Sequence, residues 1–240
     1  MRATARDRDV HRGRDVLDAA AYPLAEAARY LDIPLGTLRY WVIGGAYPTH
    51  AGRKHAPAVV RCADPEGHVL SFRNLVEVHV LDALRREHRV SLPKVRAALT
   101  YLQRHYPSPH PLADPSLQTD GLDLFVDKYG TVVNVSKAGQ TAMRAMLSAH
   151  LRRIDRDQVG APVRLYPFTR KHDLEEPRVV MMDPRVQYGR PVLTDTGIPT
   201  AVIAERYKAG ESIEELAADY HRERRDIEEA IRCELRLAAA

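Results

Sequence analysis

The sequence predicts a mainly helical chain with small β elements, an α+β protein built from more than one unit. Three observations carry that expectation. Apolar residues recur at helical spacing in successive blocks. Short breaks rich in Pro, Gly and Asp separate those blocks, and a few short apolar runs flank turn residues in the manner of strands. Aromatic residues make up 6% of the 240-residue chain and hydrophobic residues 45%, so Ala, Leu and Val must fill its cores, which favours helix.

Taken in order, residues 1–19 alternate in charge and lack an apolar face, and are expected to form a flexible arm. The segment YPLAEAARYLDIP places Leu24, Ala27, Ala28 and Leu31 at i, i+3, i+4, i+7, with Pro23 suited to the first turn. Asp32-Ile33-Pro34 breaks the run. A second helix, LGTLRYWV, turns Leu38, Trp41 and Val42 inward. After Gly44-Gly45, a basic segment rich in Gly and Pro runs to about Gly67, and Val59-Val60 and Val69-Leu70 flank the turn ADPEG as a short hairpin. A helix beginning near Ser71 has Leu75, Val76, Val80, Leu81 and Leu84 on a wide apolar face. Ser91 reads as the N-cap of a further helix that buries Leu92, Val95, Leu99 and Leu102.

The Pro-rich stretch PSPHPLADPS marks a boundary. Beyond it, LDLFV and TVVNV around Asp127-Lys128-Tyr129-Gly130 predict a hairpin. QTAMRAMLSAHLRRI predicts a helix with Met143, Met146, Leu147, His150 and Leu151 inside, and VRLY and VVMM predict short strands. From Asp183 onward three helices are expected. Ser212 and Glu215 form a capping box. The last helix turns Ile227, Ala230, Ile231 and Leu235 inward, with Arg224/Glu228, Arg225/Glu229 and Glu228/Arg232 paired outside. The resulting division is an arm at 1–19, a helix-turn-helix unit at 20–106, a linker and middle region at 107–178, and a trihelical, homeodomain-like unit at 179–240.

Two short helices joined by a tight turn let the second enter a major groove. With the inward residues assigned, Gly36, Thr37, Arg39 and Tyr40 face outward. Gly36 permits close approach near the helix N-terminus, Thr37 can meet a phosphate or a thymine methyl, and Arg39 suits a guanine or a phosphate. Tyr40 can bond the backbone, and Arg53, Lys54 and His55 suit a wing resting on phosphates. The net charge of +4 is compatible with nucleic acid without selecting it.

The segment YPLAEAARYLDIPLGTLRYWV, followed by SFRNLVEVHVLDALRRE and SLPKVRAALTYL, resembles the winged helix-turn-helix of the MerR regulator superfamily over about residues 22–104. The resemblance implies that Thr37, Arg39 and Tyr40 face DNA, that the wing spans 45–70, and that Arg73 lies near the phosphate backbone. The C-terminal stretch resembles a small trihelical domain of predicted antitoxins over about residues 179–235. Asp183, Pro184, Gly189, Arg190, Pro191, Gly210, Ser212, Glu215 and Tyr220 fall in its register. It departs at Asp195-Thr196-Gly197, where G-T-R is common in that family. The whole chain resembles a long VapB-type antitoxin of a type II toxin–antitoxin pair. Such proteins are paired with PIN-like, VapC-type ribonuclease toxins encoded next to them. The resemblance thus implies operator DNA and a toxin as partners, and autoregulation by a homodimer.

From the residues alone, Gly189-Arg190-Pro191 reads as fold-determining ahead of ligand-binding. LYPFTRKHDLEEPR offers Tyr166, Phe168, Arg170, Lys171 and Arg178 as a toxin contact, with an ordinary connector as the plainer reading. No nucleotide-binding, hydrolase or zinc-protease motif is present, so no catalytic residue and no cofactor is expected. The carboxylates Asp120, Asp123 and Asp127 read as turn formers ahead of a metal cluster, and the histidines lack zinc spacing. Cys62 and Cys233 are far apart, and no long apolar run exists, so reduced thiols in a cytoplasmic protein without a membrane segment are expected. Two alternatives stay open: a MerR-like regulator with a small-molecule effector site in 115–180, and an interaction scaffold that does not read DNA.

Overall fold

The computed structural model describes residues 15–49, 52–86, 92–118, 121–123, 125–127, 136–170 and 175–235. Among the described residues the chain is helical with four small antiparallel strand pairs, the α+β class expected. Strand β1 (Tyr22–Pro23) leads into α1 (Leu24–Tyr30) and α2 (Leu35–Ile43). The helices bury the residues that the spacing indicates: Leu24, Ala27 and Ala28 on α1, and Leu38, Trp41 and Val42 on α2. The turn between them bends back at Asp32, whose φ is 52°.

A ribbon of β2 (Gly45–Thr49) and β3 (Gly52–Ala56) follows, then β4 (Val69–Leu70). The hairpin expected from Val59-Val60 to Val69-Leu70 is corrected. Val69–Leu70 pairs with Tyr22–Pro23. The turn closes through an Asp64–Val69 bridge. The reason is a competing acceptor: the Val59 and Val60 N–H groups donate to the Trp41 carbonyl, at 2.7 and 3.2 Å, which leaves β4 for β1.

Helix α3 (Phe72–Arg86) is the axis of the fold. Phe72, Leu75, Val76, Val78, Val80, Leu81, Ala83 and Leu84 have no exposed surface, so neighbours cover this helix on more sides than the amphipathic pattern implied. Ser71 and Asn74 cap its start reciprocally: each side chain accepts the other's backbone N–H, at 3.1 and 3.2 Å. Helix α4 (Leu92–His105) buries Leu92, Val95, Leu99 and Leu102 as expected, and Ser91 lies outside the described residues. After the Pro-rich stretch and a 3-10 turn at Pro115–Gln118, α5 (Lys137–Leu151) packs on α3. Strands β5 (Ile154–Arg156) and β6 (Pro162–Leu165) pair, as do β7 (Val180–Met181) and β8 (Val192–Leu193). A Leu165–Met182 bridge links the two pairs.

The hairpin expected at 122–135 is also corrected. Residues 121–123 and 125–127 are helical, because Leu122, Phe125 and Val126 fall at i, i+3, i+4 and bury one face. Residues 128–135 lie outside the described residues. The arm expected at 1–19 ends in the core: Leu17 is buried and its carbonyl accepts the Arg73 N–H, while residues 1–14 lie outside the described residues.

One core runs from Leu17 to Met182 and includes Leu112 and Ala113 of the Pro-rich stretch, so it spans both sides of the boundary drawn at 107. A second core holds Leu193, Ile203, Leu216, Ile227 and Ala230 inside α6 (Thr200–Lys208), α7 (Ile213–Tyr220) and α8 (Arg224–Leu235). The capping box forms as expected, with the Ser212 N–H 2.8 Å from the Glu215 carboxylate.

Candidate nucleic-acid interface

The α1–α2 pair and the β2–β3 ribbon meet at Gly44 and Gly45. Gly44 has φ +82°, and a Cβ there would stand 2.2 Å from the Ala56 carbonyl oxygen. A Cβ at Gly45 would stand 2.8 Å from the Tyr40 ring. Both glycines let the ribbon leave α2 without a gap. Tyr40 is half-buried against the main core and braces the ribbon's base.

On β3, Gly52 to His55 are exposed on both faces of the strand, and Ala56 alone is buried. The ribbon therefore projects into solvent, carrying Arg53, Lys54 and His55. On α2, Arg39 is exposed on the side opposite Leu38, Trp41 and Val42. Gly36 is exposed with open space where a Cβ would go, and Thr37 is half-buried. Gly36, Thr37 and Tyr40 border a shallow hollow closed by Arg85, Leu92 and Pro93.

Among the described residues no ion pair engages Arg39, Arg53 or Lys54. Arg73 differs: its guanidinium lies 3.1 Å from Asp15 and 3.0 Å from Asp18, so its charge is already compensated. Arg29, on α1, is likewise paired with Glu234 of α8. Around the helix pair, Arg39 on α2 and Arg53 and Lys54 on the ribbon are therefore the cations left without a carboxylate partner among the described residues, in contrast to Arg29 and Arg73.

The segment around Tyr166 is turned inward. Tyr166 is buried, and its hydroxyl donates to Asp155 at 2.7 Å. Phe168 stacks 5.7 Å from the His79 ring, with the Arg153 guanidinium 4.4 Å above its face. Arg170 donates to Glu229 on α8 at 2.8 Å. Arg178 is exposed, 3.2 Å from Asp155. Lys171 lies outside the described residues.

Behind this segment sits a buried polar network that sequence reasoning missed. Arg153 donates to the Tyr166 and Glu176 carbonyls, at 2.6 and 3.0 Å, and to the Glu176 carboxylate at 3.2 Å. Glu176 also accepts the Thr169 and Arg170 N–H groups, both at 2.6 Å. Glu229 accepts from Thr169, Arg170 and Arg232, with no exposed side-chain surface. Burial pushes the Glu176 carboxyl up, and its hydrogen bonds only partly offset this. Burial acts the same way on Glu229, but hydrogen bonds from Thr169 and Arg170 and the nearby arginines outweigh it and hold the carboxyl below the usual range. The expected exterior pair Arg225/Glu229 is therefore corrected: Glu229 faces inward, and Arg232 turns back to it rather than to Glu228. Its helical position beside Ala230 was the available signal.

The C-terminal helices dock on the first helix pair. Tyr22, on β1, donates to the Gly189 carbonyl at 3.3 Å, and Glu234 accepts from both Arg29 and Thr200. Helix α8 thus has its inner face committed to the rest of the chain.

A family model described as "Protein of unknown function (DUF433)" matches residues 180–232. A Mycobacterium tuberculosis protein named "Putative antitoxin VapB45" is 30% identical over 221 residues, which cover 85% of this chain and 89% of that one. The "Uncharacterized protein Rv2308" of the same organism is 27% identical over 226 residues, 90% of each chain. The crystal structure of Rv2018 from M. tuberculosis superposes with a TM-score of 0.63 at 24% identity, covering 90% of this chain and 98% of that one, which shows a shared fold.

Proposed function

The chain belongs to the family of the antitoxin-named VapB45, and from that premise we propose that it is the antitoxin of a type II pair that neutralises a PIN-like, VapC-type ribonuclease and represses its own operon. The observation that carries the DNA half is the set of unneutralised cations on α2 and the ribbon. Arg39 on an exposed helix face, with Arg53, Lys54 and His55 on a projecting ribbon, supports a winged helix-turn-helix of the MerR type. In that reading Arg39 contacts a base edge or a phosphate, Gly36 allows close approach, Thr37 and Tyr40 contact the backbone, and the ribbon rests on phosphates. Arg73 makes a lesser contribution because Asp15 and Asp18 already hold it. A homodimer would set two α2 helices about 34 Å apart, one turn of DNA, on a palindrome.

The C-terminal trihelical unit belongs to the toxin half in this reading. Its α8 resembles a recognition helix by position, but Glu229 and Glu234 tie it to Arg170 and Arg29. A groove-reading role would need those contacts broken.

The test is fluorescence anisotropy with the DNA upstream of the gene, across a salt series. Wild type is expected to bind with a steep salt slope, and Arg39→Ala to lose affinity by about 1–3 kcal/mol. Arg53→Ala/Lys54→Ala is expected to flatten the slope by about one unit per lost phosphate contact. Identical weak binding and slope in wild type and both variants would leave a protein scaffold as the reading. A second reading, the effector-sensing regulator, draws support from a cavity of about 720 Å³ lined by Val42, Ile43, Cys62 and Glu77 at the end of α2. It lies outside the 115–180 region expected from sequence, and a small molecule that raises the melting temperature and shifts DNA affinity together would favour it.

A further inference from the structure

We propose that the left-handed turn at Gln187–Gly189, with Arg185 and Arg190 flanking it, is the surface that docks an acidic cleft on the partner protein. This rests on the toxin-binding reading above and names the surface through which it acts.

Three successive residues have positive φ: Gln187 at 49°, Tyr188 at 56° and Gly189 at 78°. Glycine adopts this region readily, but a bulky aromatic residue rarely does. Tyr188 is nevertheless held there with 90% of its surface exposed, the highest value among the exposed large apolar side chains of the described residues. The turn is pinned from both sides. Gly189 N–H donates to the Val186 carbonyl at 2.9 Å, and the Gln187 side chain donates to the Gly197 carbonyl at 3.2 Å. The Tyr22 hydroxyl holds the Gly189 carbonyl. The ring is therefore presented on an ordered backbone, which lowers the entropy lost when it is buried by a partner.

Arg185 and Arg190 are both exposed, and among the described residues no carboxylate pairs with either side chain. Arg185 also borders a polar hollow with Arg156 and Arg164. The carboxylates of that hollow are already engaged. Asp183 takes Arg164 at 3.4 Å and the Arg185 N–H at 2.9 Å, and Asp155 takes the Tyr166 hydroxyl and Arg178. Asp195 lies on the neighbouring turn and leaves the local balance positive. Tyrosine and arginine are the residues in which interface energy concentrates, and two free cations around one ring match an acidic pocket. A strand of nucleic acid would call for a row of unneutralised cations, which is the property of α2 and the ribbon rather than of this single-ring tip.

The test uses the full chain and the purified nuclease encoded beside it, measuring its binding by calorimetry and its inhibition on an RNA substrate. Tyr188→Ala is expected to weaken binding by about thirtyfold or more, the scale of a hot-spot residue. Tyr188→Phe should retain wild-type binding. Arg185→Glu/Arg190→Glu should abolish inhibition while leaving the melting temperature and the affinity for promoter DNA unchanged, which keeps the test independent of Tyr188 folding effects. If wild type inhibits and these variants inhibit equally, the turn is not the docking surface and the antitoxin reading stands. If wild type fails to bind the nuclease, the antitoxin reading falls and this proposal with it. Loss of DNA affinity in the charge-reversed variant, with inhibition retained, would overturn the assignment to a protein partner.

Discussion

Gly189→Ala is the sharpest probe of how the C-terminal unit is held. The residue sits at φ +78°, where an alanine costs about 1–2 kcal/mol in backbone energy. The added Cβ would stand 2.0 Å from the Tyr22 hydroxyl oxygen and 2.9 Å from the ring carbon that bears it. Tyr22 is 2% exposed and cannot swing into solvent without uncovering core. Its hydrogen bond to the Gly189 carbonyl, worth about 1 kcal/mol, would be lost as the ring shifts. The sum is about 2–4 kcal/mol, a melting-temperature drop of about 5–15 °C for a chain of this size. Thermal and urea denaturation measure it. Removing the hydroxyl removes the worst overlap, so Tyr22→Phe/Gly189→Ala is expected to melt above Gly189→Ala, although Tyr22→Phe alone melts below wild type. Additive losses in this cycle would refute the reasoning, because both the clash and the shared hydrogen bond couple the two sites and make the double variant lose less than the sum.

Three further outcomes follow from the same geometry. Arg29→Ala leaves Glu234 buried with Thr200 as its remaining bonded partner, and should destabilise the chain by about 3–5 kcal/mol in a urea melt. Glu229 has a depressed carboxyl, so its stabilisation is full above the ordinary value near 4.3 and is lost as pH falls through the lower folded value. Glu229→Gln should therefore be less stable than wild type at pH 7, and urea midpoints should show that gap narrowing on acidification below about pH 4. Arg73→Ala should cost less DNA affinity than Arg39→Ala, because Asp15 and Asp18 already compensate Arg73; equal losses by anisotropy would contradict that.

Helices whose apolar residues repeat over two turns or more were legible in the sequence, and so were the capping box at Ser212 and the inward faces of α1, α2, α4 and α5. Short apolar runs were not. Leu122, Phe125 and Val126 fit either period, and burial on one helical face decided between them. Val69–Leu70 found its partner in Tyr22–Pro23 because Trp41 had taken the backbone of Val59 and Val60, a competition that no local pattern encodes. In the candidate interface, exposure of Arg39 follows from helical period, but the Arg73–Asp15 ion pair joins residues 58 positions apart. The Tyr22–Gly189 bond spans 167 positions. Contacts of that kind depend on the finished packing, and sequence spacing carries no trace of them.

The docking contacts also bear on how the two proposed jobs relate. Glu234 on α8 holds Arg29 on α1, and β1, which carries Tyr22, runs directly into α1 and then α2. The hydroxyl of Tyr22 grips the carbonyl of the residue next to Tyr188. A partner that seats Tyr188 thus acts one residue away from a strand that supports the reading helix. Coupling between the sites requires that the partner favour a different placement of that strand; a partner equally content with both placements changes nothing, however tightly it binds. Tyr22→Phe separates the cases. It keeps the side chains of Tyr188, Arg185, Arg190, Arg39 and the ribbon, so DNA binding measured alone should hold near wild type, and nuclease binding should weaken only by the order that this one of the turn's pinning bonds supplies. If the Tyr22 bond transmits the effect, the change in DNA affinity caused by bound nuclease should shrink in the variant, and by linkage the change in nuclease affinity caused by DNA should shrink by the same factor. An unchanged coupling factor would place any communication elsewhere, with the Arg29–Glu234 pair as one direct tie between α8 and α1.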